Sequence, residues 1–271
     1  MNHLLRERAP ITEDGWRLLD AEARDVLQAT LGARKLLDVG EPLGWSHSAH
    51  NLGRVTPLAG GPVSGVEAAQ RRVLPLIELR ARFTVSRVEL DDASRGADDL
   101  DLDELDAAAR RIAAGENATV LHGWDAAGIE GVTGASPHSA MALPGSLTDL
   151  PHAVARAVER LRSAGVDGPY GLALSPEEHT RVVETTEHGG YLLLDHLRRI
   201  LEGPIVRAPG VRGAVAISLR GDDYVLTLGE DLSVGYLSHD ADRVTLYLEE
   251  TLAFHVASPE AGIWLPRERS E

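Results

Sequence analysis

Apolar and polar residues alternate without a break from Ile77 to Ser86. Ile77, Leu79, Ala81, Phe83 and Val85 fall on one side; Glu78, Arg80, Arg82, Thr84 and Ser86 fall on the other. A period of two predicts a strand with one dry and one wet face. With its apolar flanks the stretch 73–90, VLPLIELRARFTVSRVEL, would reach roughly 55–60 Å if fully extended. That exceeds the width of most single-domain cores, so the ribbon either bends or leaves its own domain.

Upstream, Trp16, Leu19, Ala23, Val26, Leu27 and Leu31 recur at helical spacing between Thr12, a natural N-cap, and Gly32, which predicts an amphipathic helix. RKLLDV (34–39) reads as a short strand and 41–50 as a loop. HNLGRVTPLA and VSGVEAAQRRVLPLIEL then run out and back around Gly60, Gly61 and Pro62, predicting a long hairpin. A lone two-stranded hairpin is marginal in water and its open edges invite another chain. The arm needs a partner.

Downstream, an acidic run becomes a long alanine-rich helix over 91–124, with Leu105, Ala109, Ile112, Val120, Leu121 and Trp124 on one stripe and Gly115 interrupting it. The loop-like 131–147 is the best candidate domain boundary. A helix follows, with Pro151 near its start and Gly165 at its end, then a buried strand in VDGPYGLAL. Another helix opens with a full capping box, Ser175 three residues before Glu178 and Pro176 between them. Residues 187–203 hold a glycine loop and a short helix, and from Ile205 the chain turns mostly to strand. Segregated elements in this order predict an α+β fold, not a βαβ repeat.

Composition narrows the function. The 271 residues, 43% of them hydrophobic, suffice for one large domain or two modest ones. A formal net charge of −15 argues against a nucleic-acid partner, because counterion release needs a basic surface. The absence of cysteine removes disulfides, a thiolate nucleophile and Cys-ligated metal. No long apolar run or leader segment is visible, so a soluble, cytoplasmic protein without a membrane partner is expected.

The search for chemistry returns little. No phosphate loop, nucleophile elbow or HExxH motif occurs, and Ser175 reads as a helix cap. His47 and His50 have an i, i+3 spacing that suits a metal on a helix, but the segment is loop-like and lacks carboxylates. Glu187, His188 and His196 lack a nucleophile or oxyanion hole beside them. Asp99, Asp101 and Asp103 open like a calcium loop, yet Glu104 stands where the turn glycine belongs and Arg110 where the bidentate glutamate belongs. An acidic helix start is the simpler account. No catalytic residue, metal ligand or cofactor is therefore expected, and the protein is read as not an enzyme.

The stretches LLRERAPITEDGW, RKLLDV, GWSHSAHNLG, LPLIELRARFTVSRVELDDASRG, GVDGPYGLALS and LGEDLSVGYLSHDADRVTLYLEETLAF, in this order and at this spacing, resemble the encapsulins, nanocompartment shell proteins of the linocin-type bacteriocin family. The resemblance implies the tailed-phage major capsid protein fold of the Hong Kong 97 type. It divides the chain into an N-terminal helix and first part of a peripheral domain (1–46), an extended loop (47–80), a peripheral domain with a long spine helix (81–132), an axial domain (133–226) and C-terminal peripheral strands (227–271). It also implies self-assembly of many tens of copies into a hollow icosahedral shell. The shell would enclose a cargo enzyme, such as a dye-decolorizing peroxidase or a ferritin-like protein, with roles in oxidative-stress defence or iron storage.

By motif match, Arg34, Asp38, Asp231, Leu232 and Tyr236 would bind the cargo's C-terminal targeting peptide; the alternative, that they satisfy the domain's own hydrogen bonds, stands beside it. His188, Gly189, Gly190 and Tyr191 match the five-fold pore loop, with one extra residue and without the usual proline. Arg71, Arg72, Ile77 and Leu79 are expected at extended-loop contacts between subunits. Val88 falls where some members stack a flavin on tryptophan, so no flavin is expected there. Other readings remain: a prophage major capsid protein, a hydrolase or peptidase, or a small metal-binding or redox module using the histidines.

Overall fold

The computed structural model describes residues 3–186 and 192–267. Helix α1 (Glu13–Thr30) begins where the sequence predicts, with Thr12 Oγ1 accepting the Gly15 N–H at 3.2 Å. It buries Leu19, Ala23 and Leu27. RKLLDV is mostly a 3-10 turn (Ala33–Leu36), leaving only β1 (Asp38–Val39) as strand. The hairpin follows as β2 (Ala49–Pro57) and β3 (Ala69–Pro75).

The ribbon bends and stops early. It breaks at Leu76, whose N–H turns to the Ser48 carbonyl, and resumes as β4 (Ile77–Ser86) with the expected alternation of burial. At Ser86 it gives way to α2 (Arg87–Ser94), because the Ser86 hydroxyl caps the new helix at the Val88 N–H. Ser86 and Glu89 have the S-x-x-E spacing of a helix start, a signal hidden by the strong strand pattern before it. The long helix is thus two: α2, then α3 (Asp103–His122), which runs through Gly115. It ends at Gly123, whose φ of +82° and tight approach to Gly131 would strain any other residue. Trp124 therefore lies past the helix and is 44% exposed, off the buried stripe.

The remaining elements are α4 (Val132–Ala135), α5 (Leu150–Ser163), β5 (Tyr170–Leu174), α6 (Pro176–Glu184), α7 (Leu193–Leu201), β6 (Ile205–Arg207), β7 (Ala214–Ser218), β8 (Tyr224–Leu228), β9 (Ser233–His239), β10 (Arg243–Val256) and β11 (Gly262–Leu265). At α6 only half of the capping box forms. Ser175 Oγ accepts the Glu178 N–H, while the Glu178 carboxylate turns to Arg181 and Arg267, because the Ser175 N–H is already held by the Gly213 carbonyl.

Two sheets organise the chain. In the first, β10 is the central strand: β4 pairs antiparallel along one edge from Ile77↔Leu252 to Ser86↔Arg243, and β9 and β8 share the other. β1 adds a parallel edge beyond β8. The second sheet has the order β11-β7-β5-β6. One apolar core lies between α1, α3, β4, β9 and β10; a larger one gathers the second sheet with α5 and α7 and reaches Leu226, Leu252 and Phe254 of the first. The hairpin β2–β3 pairs with no other strand among the described residues.

Candidate functional site

A cavity of about 840 Å³ opens between α1 and β9. Its apolar wall is Ala23 and Leu27 from α1 and Leu31 just past its end, with Leu232, Val234 and Leu248 from the sheet side; Arg6, Asp20, Arg24, Gln28, Arg34, Lys35, Asp231 and Ser233 supply polarity. The amphipathic period of α1 creates this site: Leu27 faces both core and cavity, while Arg24 and Gln28 stand at its rim.

Arg34 is the electrostatic centre. Its guanidinium meets Glu116 at 2.6 Å, Asp231 at 2.8 Å and Glu250 at 2.9 Å. Glu116 and Glu250 are fully buried. Burial works against the Arg34 charge, but the hydrogen bonds to Glu116 and the charges of Glu116, Glu250 and Asp231 more than offset it, so its pKa is raised. The Glu250 carboxyl is pushed well above the usual carboxylate range, first by burial and then by the neighbouring Glu116, with Arg34 only partly compensating. Arg6 is likewise committed, bonding Asp20 at 2.7 Å and lying over the Trp16 ring. Arg24 and Lys35, the chain's sole lysine, line the cavity, and neither makes an ion pair among the described residues.

The structure thus brings Arg34, Asp231 and Leu232 of the expected peptide-binding set to one cavity. It does not bring Asp38 or Tyr236. Asp38 lies on β1 in a separate cleft and accepts the Asp222 N–H at 2.8 Å. Tyr236 follows Val234 on the buried face of β9, is 9% exposed, and places its hydroxyl 2.6 Å from His239 Nδ1. The residues of α1 that line the cavity were legible in the helix period, but not which face would stay open.

The arm residues separate into two kinds. Arg71 and Arg72 are exposed on β3, opposite Val55 and Arg54, and among the described residues these arginines have no acidic partner. Ile77 and Leu79 sit on β4, half-buried against the chain's own core. Val88 is on the exposed side of α2, 62% accessible. Asp99 and Asp101 precede α3 and Asp103 opens it, where the Asp101 carboxylate accepts the Asp103 N–H as a helix-start contact. His188, Gly189, Gly190, Tyr191 and Glu187 lie outside the described residues. Among the described residues no helix is long and apolar enough to cross a membrane.

Comparison with known proteins gives a consistent result. A family described as encapsulating protein for peroxidase matches residues 1–253. The chain is 47% identical over 268 residues to a type 1 encapsulin shell protein of Rhodospirillum rubrum, covering 97% of this chain and 96% of the relative. To a type 1 encapsulin shell protein of Mycobacterium tuberculosis it is 41% identical over 265 residues, covering 98% and 99%. Among solved structures, a virus-like particle from Pyrococcus furiosus matches with a TM-score of 0.65 at 17% identity, over 92% of this chain and 98% of that one. The likeness at that identity concerns the fold alone.

Proposed function

We propose, from the premise that this chain belongs to the type 1 encapsulin shell-protein family, that its copies close into a hollow icosahedral shell around a cargo enzyme in the cytoplasm. The fold is the α+β fold of tailed-phage major capsid proteins. The protein is structural, and chemistry belongs to the cargo, a peroxidase or a ferritin-like protein.

The observation that carries the reading is the β2–β3 arm. Val55, Leu58, Val63, Val66 and Val73 on it are between 46% and 64% exposed, and among the described residues its strands pair only with each other. Such a hairpin is marginal alone, and its apolar residues and open edges find cover on a second copy. Arg54, Arg71 and Arg72, without an acidic partner among the described residues, add positive charge to the arm of a strongly acidic chain, so it is attracted to the acidic surface of a neighbour.

The cavity between α1 and β9 supports a second element of the reading, the dock for the cargo's C-terminal targeting peptide. Its apolar floor and mixed polar rim suit a short extended peptide. Sedimentation of the chain expressed alone tests the assembly: a species of many tens of subunits is expected, and a stable monomer or dimer would refute it.

A further inference from the structure

Three segments meet at the buried carboxylate of Glu249. Arg80, directly opposite it on β4, bonds it through Nε at 3.0 Å and lies over the Tyr247 ring. His3, from the N-terminal segment, brings Nε2 to 3.1 Å from Glu249 Oε1, a close polar approach without hydrogen-bond geometry, and among the described residues neither atom makes a hydrogen bond. The other face of His3 is used as well. Its ring stacks on Trp45, centroids 4.0 Å apart and planes 8° from parallel.

Trp45 belongs to the segment that leads into β2. That root is tied to the sheet by two backbone bonds, Leu43 N–H to Leu228 O and Gly44 N–H to Gly229 O, and Leu76 N–H closes it on the return side at Ser48 O. At the base of β2, His50 adds a side-chain tie, its Nδ1 2.8 Å from Thr227 Oγ1 and its ring stacked on His255; the direction of the arm is decided at this root. Trp45 is 40% exposed. The N-terminal segment is itself anchored: Leu4 is buried and its carbonyl accepts the Tyr236 N–H of β9. An indole covered on one face by an anchored imidazole is a rigid aromatic contact, placed where a small rotation becomes a large displacement at the tip.

We propose that the His3–Trp45 stack is a positioning contact that fixes the direction in which the arm leaves the subunit, with Glu249 as its anchor. This rests on the shell reading and extends it: curvature between copies depends on the arm's direction, so the stack also controls particle uniformity.

The test compares the full-length chain with W45A, H3A and H3F by hydrogen exchange and electron microscopy. In W45A and H3A the root amides of Leu43, Gly44 and Leu76 are expected to exchange roughly tenfold faster, with α5 unchanged, and particles to become mixed in size. H3F keeps the ring but loses the contact with Glu249, and is expected to fall between wild type and H3A; full wild-type protection in H3F would remove Glu249 as the anchor. Wild-type exchange in H3A, or H3F as loose as H3A, would overturn the stack as the determinant. Should W45A fail to fold, H3A and H3F decide the matter. A wild-type chain that forms no particles refutes the shell reading separately, because exchange in the isolated chain still reports the root.

Discussion

Glu249 and Glu250 are successive residues of the central strand β10, both fully buried, and they leave on opposite faces of the sheet. Each is answered by a different arginine: Arg80 from β4, the strand that continues from the arm, for Glu249, and Arg34 at the cavity wall for Glu250. The arm and the cavity are therefore anchored back to back on one strand.

Removing Arg34 leaves Glu116 and Glu250 buried without their cation. Arg34→Ala is expected to destabilise the subunit by roughly 3–5 kcal/mol, whereas Glu250→Gln, which keeps the shape and removes only an ionisable proton, is expected to cost about 1 kcal/mol or less. Thermal unfolding at fixed protein concentration measures both. Equal losses would contradict the assignment of Arg34 as the centre of the network.

The raised pKa of Glu250 sets a direction with pH. Its stabilisation is complete below the ordinary glutamate value of 4.5 and is lost as the pH rises toward the raised value. Glu250→Gln should flatten the alkaline side of the stability profile. A profile unchanged by the substitution would show that this carboxyl does not titrate on folding.

His122 acts in the opposite direction. Burial first, and the Arg212 charge second, push it down to about 4. Its Nε2 accepts the Arg212 N–H at 2.9 Å, so Nδ1 carries the proton facing Thr133 Oγ1. The neutral ring's contribution is complete above the ordinary value of 6.5 and is lost as the pH falls toward 4. Allowing for its partial exposure, roughly 1–3 kcal/mol is at stake. Against H122Q, the wild-type advantage should shrink between neutral pH and pH 4 in urea titrations; an advantage that grows would contradict this.

On the arm, the arginines predict salt-sensitive assembly. The double change R71E and R72E is expected to raise the unassembled fraction at low salt roughly tenfold, while single subunits remain folded by circular dichroism. Sedimentation velocity separates the species.

At the cavity, Leu232→Arg places a charge on the apolar floor at a half-buried position. Shells are expected to form normally while co-expressed cargo is retained at least roughly tenfold less. Undiminished cargo in purified shells would move the docking site elsewhere.

What the sequence made legible was local. Alternation gave β4 and the helical period gave α1, because each reflects one neighbouring core. The end of β4 was missed because the Ser86 cap is a single hydroxyl set against ten residues of strand pattern. At the site, Arg34 and its partner Asp231 were found, but the two buried partners were not: Glu116 and Glu250 are 82 and 216 residues away from Arg34, brought in by the packing of α3 on the sheet. Asp38 and Tyr236 were misplaced for a similar reason. They are near the cavity residues in sequence, but the 3-10 turn before β1 carries Asp38 into a separate cleft, and Tyr236, on the same face of β9 as Val234, lies two residues farther along with its hydroxyl on His239.

The most direct test of the account is electron microscopy of the purified chain expressed alone. Uniform hollow spheres, lost or deranged when the arm between β2 and β3 is shortened, are the predicted result. A monodisperse small oligomer, or shells indifferent to the arm, would contradict it.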